Sequence, residues 1–245
     1  MVKVCFICNT PFIEKAAIQN LRDELDRLSE KETEIEFWFH GFHSYFNKAV
    51  LREVIQLKTD KPDQQLEIVD IVDPVIEEDD LISMPIHTET GETVPEWHLR
   101  LDEYDYKVPA RVEYAPRFEF RSDNKAGHFI AHSQRKDRWM VNSCDYLFAY
   151  TYENLPDSAN TTIKRALAKN PDMKIISLCV PSTAERIEEL KEQLDERKKY
   201  VVDSFLAGVP SSVISKELGV TINRVHQIAS KATRIIYRQL KKEYR

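Results

Sequence analysis

The chain is 245 residues long with 42% hydrophobic and 10% aromatic content, enough to bury one substantial core and a small second one, so two domains are expected. Its 35 Lys plus Arg against 41 Asp plus Glu leave a net charge of −6. The first apolar run, Val2–Cys8, is too brief for a signal-peptide core followed by a cleavage site and far too brief to span a bilayer, which excludes a secreted or membrane-spanning reading and predicts a cytoplasmic protein.

Val2–Cys8 is nearly continuous in its apolar character, as expected of a strand buried on both faces. Cys5 and Cys8 form a C-x-x-C, which redox and zinc motifs place at a loop or helix start. Here the pair ends an apolar strand, and Cys144 and Cys179 are distant, so all four cysteines read as reduced core residues. Ile13 to Ser29 sets Ala16, Ala17, Leu21, Leu25 and Leu28 at helical spacing. Glu34–Phe39 reads as a second strand, Phe46–Leu57 as a helix and Gln65–Val72 as a third strand. His40 and His43 lack an acidic or thiol partner at ligand spacing, and no metal is assigned. Residues 74–117, acidic and punctuated by Pro85, Gly91, Pro95 and Pro109, break the periodicity and read as an insertion or extended loop.

Regular order resumes with a helix over His128–Asn142, a strand at Tyr146–Tyr150, a helix at Thr161–Ala168 and a last strand at Met173–Cys179. This alternation predicts an α/β body over residues 1–182: a Rossmann-like, mostly parallel sheet with helices on both faces. Such sheets bind ligands outside the carboxyl ends of their strands, where helix N-termini offer amides to anions. The segments at that rim are Asn9-Thr10-Pro11, Gly41-Phe42-His43-Ser44 and Thr151–Thr162; with five glycines in the whole chain, none is a glycine-rich phosphate loop.

Residues 183–199 read as a charged linking helix, with Arg186/Glu189, Glu188/Lys191 and Asp195/Lys199 at pairing distance. Tyr200 to Leu206 is amphipathic and is stopped by Gly208 and Pro210; a new helix then starts at Ser211 or Ser212, either of which can cap it, and ends at Gly219. Thr221 caps the next helix, which sets Val225, Ile228, Ala232 and Ile235 or Ile236 on one face and Asn223, Arg224, His226, Gln227, Ser230, Lys231 and Arg234 on the other. Two helices joined by a tight turn, the second with an outer face rich in Asn, Arg and Gln, suit major-groove docking, because Gln and Asn pair with adenine, Arg with guanine, and Lys and Arg with phosphate. Residues 196–245 carry eleven Lys plus Arg against four Asp plus Glu, whereas residues 1–195 carry 24 against 37. A basic module on an acidic body is the footprint of a DNA-reading appendage.

The string Leu218-Gly219-Val220-Thr221 with Arg224-Val225, Gln227-Ile228, Lys231-Ala232 and Arg234 resembles region 4 of bacterial sigma factors, the helix-turn-helix that reads the promoter −35 element, over about forty residues. The resemblance implies double-stranded DNA as partner, with RNA polymerase as a second, and contacts from Thr221, Asn223, Arg224, His226, Gln227, Lys231 and Arg234. Ile222 and Asn223 stand where primary sigma factors tend to carry Arg and Glu, which points to a different DNA target.

A second resemblance covers residues 2–180. The order of the strand ends, Lys48-Ala49 with Val54, and Lys136-Asp137-Arg138-Trp139-Met140-Val141 leading into Asp145–Tyr150 is similar to the SLOG superfamily, Rossmann-like domains related to the DNA-processing protein DprA and to nucleotide-binding LOG proteins. It implies a nucleotide-type ligand, with no obligate cofactor, held by Asn9, Thr10, Gly41, Arg135, Arg138, Ser158, Thr161 and Thr162. Lys136-Asp137-Arg138 stands at the family's arginine motif and Ser158–Thr162 at its glycine loop. The paired glycines are missing, and Ile163-Lys164-Arg165 stands where the LOG enzymes carry their glutamate, so catalysis of the phosphoribohydrolase type is disfavoured and no catalytic residue is assigned.

The leading expectation is a transcriptional regulator: a Rossmann-like body that senses a nucleotide-type ligand or partner, and a helix-turn-helix over residues 200–245 that reads DNA. The alternatives are a nucleotide-processing enzyme with a docking tail, and a homo-oligomeric scaffold that sets several such tails along DNA.

Overall fold

The computed structural model describes residues 1–8, 10–39, 45–72, 86–87, 93–94, 111–116 and 137–244. In chain order these form β1 (Val2–Cys8), α1 (Lys15–Lys31), β2 (Glu34–Phe39), α2 (Tyr45–Asp60), β3 (Gln65–Val72), β4 (Ile86–His87), β5 (Thr93–Val94) and β6 (Arg111–Tyr114). There follow α3, described over 137–142, then β7 (Tyr146–Tyr150), α4 (Ser158–Lys169), β8 (Lys174–Ser177), α5 (Pro181–Glu192), α6 (Glu196–Leu206), α7 (Ser211–Leu218) and α8 (Ile222–Glu243). The first part of the helix expected over 128–142 lies outside the described residues.

Six strands make one sheet in the order β6-β3-β2-β1-β7-β8, with every neighbouring pair parallel. The small antiparallel pair β4–β5 stands apart from it. Because side chains alternate across a strand, each buried strand feeds two cores. Val4, Phe6, Ile35, Phe37, Phe39, Leu66, Ile68, Tyr146, Phe148 and Tyr150 pack on one face against α1 and α2 through Leu21, Leu25, Val50 and Val54. Cys5, Trp38, Val69, Ile71 and Leu147 pack on the other with Met140, Val141 and Ala166 of α3 and α4. Helices therefore cover both faces, and the fully parallel arrangement explains why the strands read as apolar runs rather than as alternating ones.

The order reverses at β1, with β2, β3 and β6 to one side and β7 and β8 to the other. That reversal opens the sheet between the ends of β1 and β7, the usual ligand crevice of doubly wound sheets. Here the chain itself fills it. Glu14, buried at the start of α1, accepts hydrogen bonds from Tyr150 Oη at 2.8 Å, from Tyr152 Oη at 2.6 Å and from Thr183 Oγ1.

Several sequence expectations change. The stretch 74–117, which reads as an insertion or extended loop, instead supplies the parallel edge strand of the main sheet at Arg111–Tyr114; its remainder lies outside the described residues except for β4, β5 and residues 115–116. A four-residue strand between Pro109 and Pro116 is too short to show a period; it is held by its parallel ladder to β3, and Arg111 adds pairs with Glu36, Glu67 (3.2 Å) and Glu113 (3.5 Å) across three neighbouring strands. The one charged helix expected over 184–199 is two, α5 and α6, separated at Asp195, whose carboxylate accepts the Lys198 N–H at 2.9 Å and restarts the chain as an N-cap. Asp195 accordingly pairs with Lys198 rather than Lys199, which turns to Glu192, while the expected Arg186–Glu189 and Lys191–Glu188 pairs form. The Thr161 helix begins at Ser158 because Asp157 caps it, accepting the Ala159 N–H at 2.6 Å.

The cysteines are all free; Cys5 and Cys144 are buried as expected, whereas Cys8 and Cys179, also expected in the core, are only partly buried at its edge. Residues three apart on a strand point to opposite faces, so Cys5 and Cys8 cannot close on one another or share a metal. Burial pushes the Cys8 thiol up to about 11 and raises those of Cys5 and Cys179. At pH 8 a thiol near 11 is thiolate in roughly one molecule per thousand, so a thiolate-specific reagent is expected to label Cys8 in the native protein slowly and in denaturant at the ordinary rate. Equal rates in the two states would contradict this burial.

Candidate functional site

Three helices near the C-terminus share a core of their own. Val201, Ile214, Val225, Ile228 and Ala229 are buried together, with Phe205, Val209, Leu218 and Val220 packed around them. The turn between α7 and α8 follows the sequence closely. Gly219 is left-handed at φ 60°, a conformation that a side chain would strain, and the amide of Val220 returns to the Ser215 carbonyl. Thr221 then caps α8 by accepting the Arg224 N–H at 3.2 Å. Neither Ser211 nor Ser212 caps α7: the N-cap position belongs to Pro210, which has no side chain to donate or accept, and Ser211 is the first helical residue. Of the two isoleucines open at the next turn, Ile236 is buried and Ile235 is exposed.

α8 is 22 residues long and serves two cores in succession. Its first turns complete the small core through Val225, Ile228 and Ala229, and its last turns enter the main core through Ile236, Tyr237 and Leu240. Tyr237 meets Phe12 edge-on at 6.1 Å and donates weakly to Asp157 at 3.4 Å, while Tyr244 stacks on Phe12 at 5.9 Å and bonds to Thr183. Arg186 of α5 clamps Glu243 through two hydrogen bonds of 2.9 and 3.0 Å. The first half of α8 is thereby held in a fixed direction from the parallel sheet.

The residues expected to meet DNA, Thr221, Asn223, Arg224, His226, Gln227, Lys231 and Arg234, are all exposed. Arg224 donates to the Gln227 side-chain oxygen at 3.1 Å, so the two are presented as a pair. His226 is turned away from them and packs its ring against Phe205 at 5.4 Å, a contact that sequence spacing does not show. Ile222, at 45% exposure, is an apolar side chain left in solvent at the first turn.

Of the residues expected to hold a ligand, Asn9, Gly41 and Arg135 lie outside the described residues. Thr10 is half-buried and bonds within its own turn, donating to the Phe12 carbonyl at 2.8 Å. Arg138, Ser158, Thr161 and Thr162 do come together, lining a groove of about 1760 Å³ whose far wall is α8, including His226 and Arg234. Four of the expected ligand residues thus share a groove with two of the residues expected to meet DNA, while Thr221, Asn223, Arg224, Gln227 and Lys231 do not line it. The position that an anion would take before the first amides of α4 is filled by the carboxylate of Asp157, and the hydroxyls of Thr161 and Thr162 donate to the carbonyls of Asp157 and Ser158. An Asp just before a helix is a local capping signal, but spacing does not reveal the contact of Asp157 with Tyr237, 80 residues away.

Among the described residues there is no group of three or more potential metal ligands, and no helix is long and apolar enough to cross a membrane. No protein-family model matches the chain, and comparison with curated proteins finds no similar sequence, which leaves the geometry above as the ground for a functional reading.

Proposed function

We propose that the chain is a DNA-binding regulator in which α7, the Gly219 turn and α8 act as a helix-turn-helix of the sigma region 4 kind, docked by the first turns of α8 in the major groove. The observation that carries this reading is the division of those turns. Val225, Ile228 and Ala229 are buried on one side, while Asn223, Arg224, Gln227 and Lys231 are left in solvent on the other. A helix whose polar side is uncovered and whose apolar side is anchored to a supporting helix has the form needed for base reading.

In this reading Arg224 and Gln227 reach base edges, since their side chains can each make two hydrogen bonds to guanine and adenine respectively. Ile222 supplies an apolar contact suited to a thymine methyl, and Lys231 and Arg234 pair with phosphates. The α/β body acts as the regulatory half, because the last turns of α8 are part of its core and a change at the sheet rim reaches the reading helix through one continuous element.

The test is selection of duplexes from a random pool by the full-length protein, followed by anisotropy titrations. The double variant Arg224→Ala, Gln227→Ala is expected to lose sequence preference, at about 1–3 kcal/mol for each bidentate contact removed, while its thermal unfolding stays unchanged because both side chains are exposed. Undiminished selectivity in that variant sinks the reading.

A further inference from the structure

The groove between the body and α8 has a charge pattern that the base-reading face does not explain. Besides Lys191, which pairs with Glu188, six basic side chains line it: Arg138, Lys164 and Arg165 from α3 and α4 on the body, and Arg234, Arg238 and Lys241 from α8. None of the six has an ion pair or hydrogen bond among the described residues. Among the described residues, several arginines elsewhere on the chain are matched, though not Arg52 or Arg197: Arg22 by Glu53, Arg111 by three carboxylates and Arg186 by Glu189 and Glu243. Four carboxylates line the groove beside the cations, Asp137, Glu153, Asp157 and Glu188; Asp157 is engaged as the cap of α4 and Glu188 with Lys191 and Asn154.

The three cations on α8 stand at i, i+4 and i+7, a row with steps of about 6 and 4.5 Å along one side of the helix. Cations so spaced can each meet a different phosphate of one DNA strand. Small-molecule sites usually occupy about 300–1,000 Å³. The groove, at about 1760 Å³, is larger and carries its charge on two facing walls rather than at one focus. Those features fit a polyanion running through it better than a mononucleotide seated in it.

We infer that this groove is a second part of the DNA interface: the phosphate backbone of a duplex read by the first turns of α8 continues between α8 and the body, where Lys164 and Arg165 contact phosphates. The inference rests on the DNA-binding reading of α8. It makes the α/β body a direct contributor to affinity, without base specificity.

The experiment is a salt titration of duplex binding by the full-length protein, with the variant Lys164→Gln, Arg165→Gln beside Arg224→Ala, Gln227→Ala. Lys164 and Arg165 are both exposed, so folding is preserved and is checked by thermal unfolding. The groove variant is expected to bind every duplex more weakly by a similar factor, to keep its sequence preference, and to flatten the slope of log K against log salt by about 2, close to one for each phosphate no longer neutralised. An unchanged slope and affinity in the groove variant, alongside abolished preference in the α8 variant, overturns the inference and leaves the DNA-binding reading standing. Failure of the unaltered protein to bind any duplex overturns both. Competition of the duplex by adenosine monophosphate at a matched concentration of phosphate groups assigns the groove to a small anion and likewise overturns the inference; no competition supports it.

Discussion

Replacing Glu14 with alanine is expected to lower the stability of the protein by about 3–5 kcal/mol, the range for breaking a buried polar cluster from one side. The reason is the number of groups that depend on one carboxyl. Tyr150 and Tyr152 donate to its Oε2, Thr183 donates to its Oε1, and Thr183 in turn joins Tyr244 at the end of α8. Tyr150 and Tyr152 are 0% and 1% exposed, so water does not replace the missing acceptor without opening the core. Urea unfolding measures the change, and an effect under 1 kcal/mol would show that the hydroxyls find other partners. Glu14→Gln keeps the shape and one acceptor oxygen and is expected to lie between the alanine variant and the unaltered protein. Since the cluster seats the last turn of α8, the alanine variant also tests whether the C-terminal helix is fixed by the sheet rim: amide exchange over 236–244 is expected to speed up more than exchange over 222–229.

A second large effect is expected at alkaline pH. Burial raises the phenols of Tyr150, Tyr152 and Tyr237 far above their ordinary value; the nearby Tyr152 and Glu14 add to this at Tyr150, Glu14 at Tyr152, and Asp157 at Tyr237. In the unfolded chain these phenols ionise near pH 10, whereas in the fold they stay neutral. Below pH 10 both states are protonated and the contribution of burial is complete. Above it the native state holds more protons than the unfolded one, and stability falls by up to about 1.4 kcal/mol per pH unit for each tyrosine, about 4 for the three together. For a chain with the usual 5–15 kcal/mol in reserve, unfolding is expected within about one to four units above pH 10. Phenolate absorbance and far-ultraviolet circular dichroism, followed together, check this. The three phenols should ionise in the same transition that removes helix signal, and gradual ionisation of every tyrosine in a folded protein would refute it. Tyr237→Phe, whose hydroxyl makes only a 3.4 Å bond, should reduce the slope by about a third with little change at neutral pH.

Several parts of this molecule are legible in the chain alone, and they share a physical character. The central strands declare themselves because a parallel strand covered on both faces must be apolar at every position, as in Val2–Cys8 and Tyr146–Tyr150. The Gly219 turn and the Thr221 cap are equally legible, since a left-handed residue and a side-chain cap are settled within four residues of backbone. For the same reason the exposed row from Asn223 to Arg234 follows from helical spacing once Val225 and Ile228 are taken as buried. The neighbours of that row are not legible: His226 has the spacing of a base contact but lies on Phe205.

What the sequence by itself determined, then, is the identity of the central strands and of the helices around the Gly219 turn, and which side of α8 stays wet, because these depend on interactions spanning a turn or a strand. Only the tertiary structure decided that Arg111–Tyr114 closes the sheet edge, that Glu14 gathers hydroxyls from 136, 138 and 169 residues away, and that the final turns of α8 belong to the core of the body. It also decided that Arg138, Ser158, Thr161 and Thr162 line the same groove as one flank of α8. Contacts of that sequence separation are chosen by which surfaces remain unburied after the local elements have formed, a choice that no spacing of residues along the chain records.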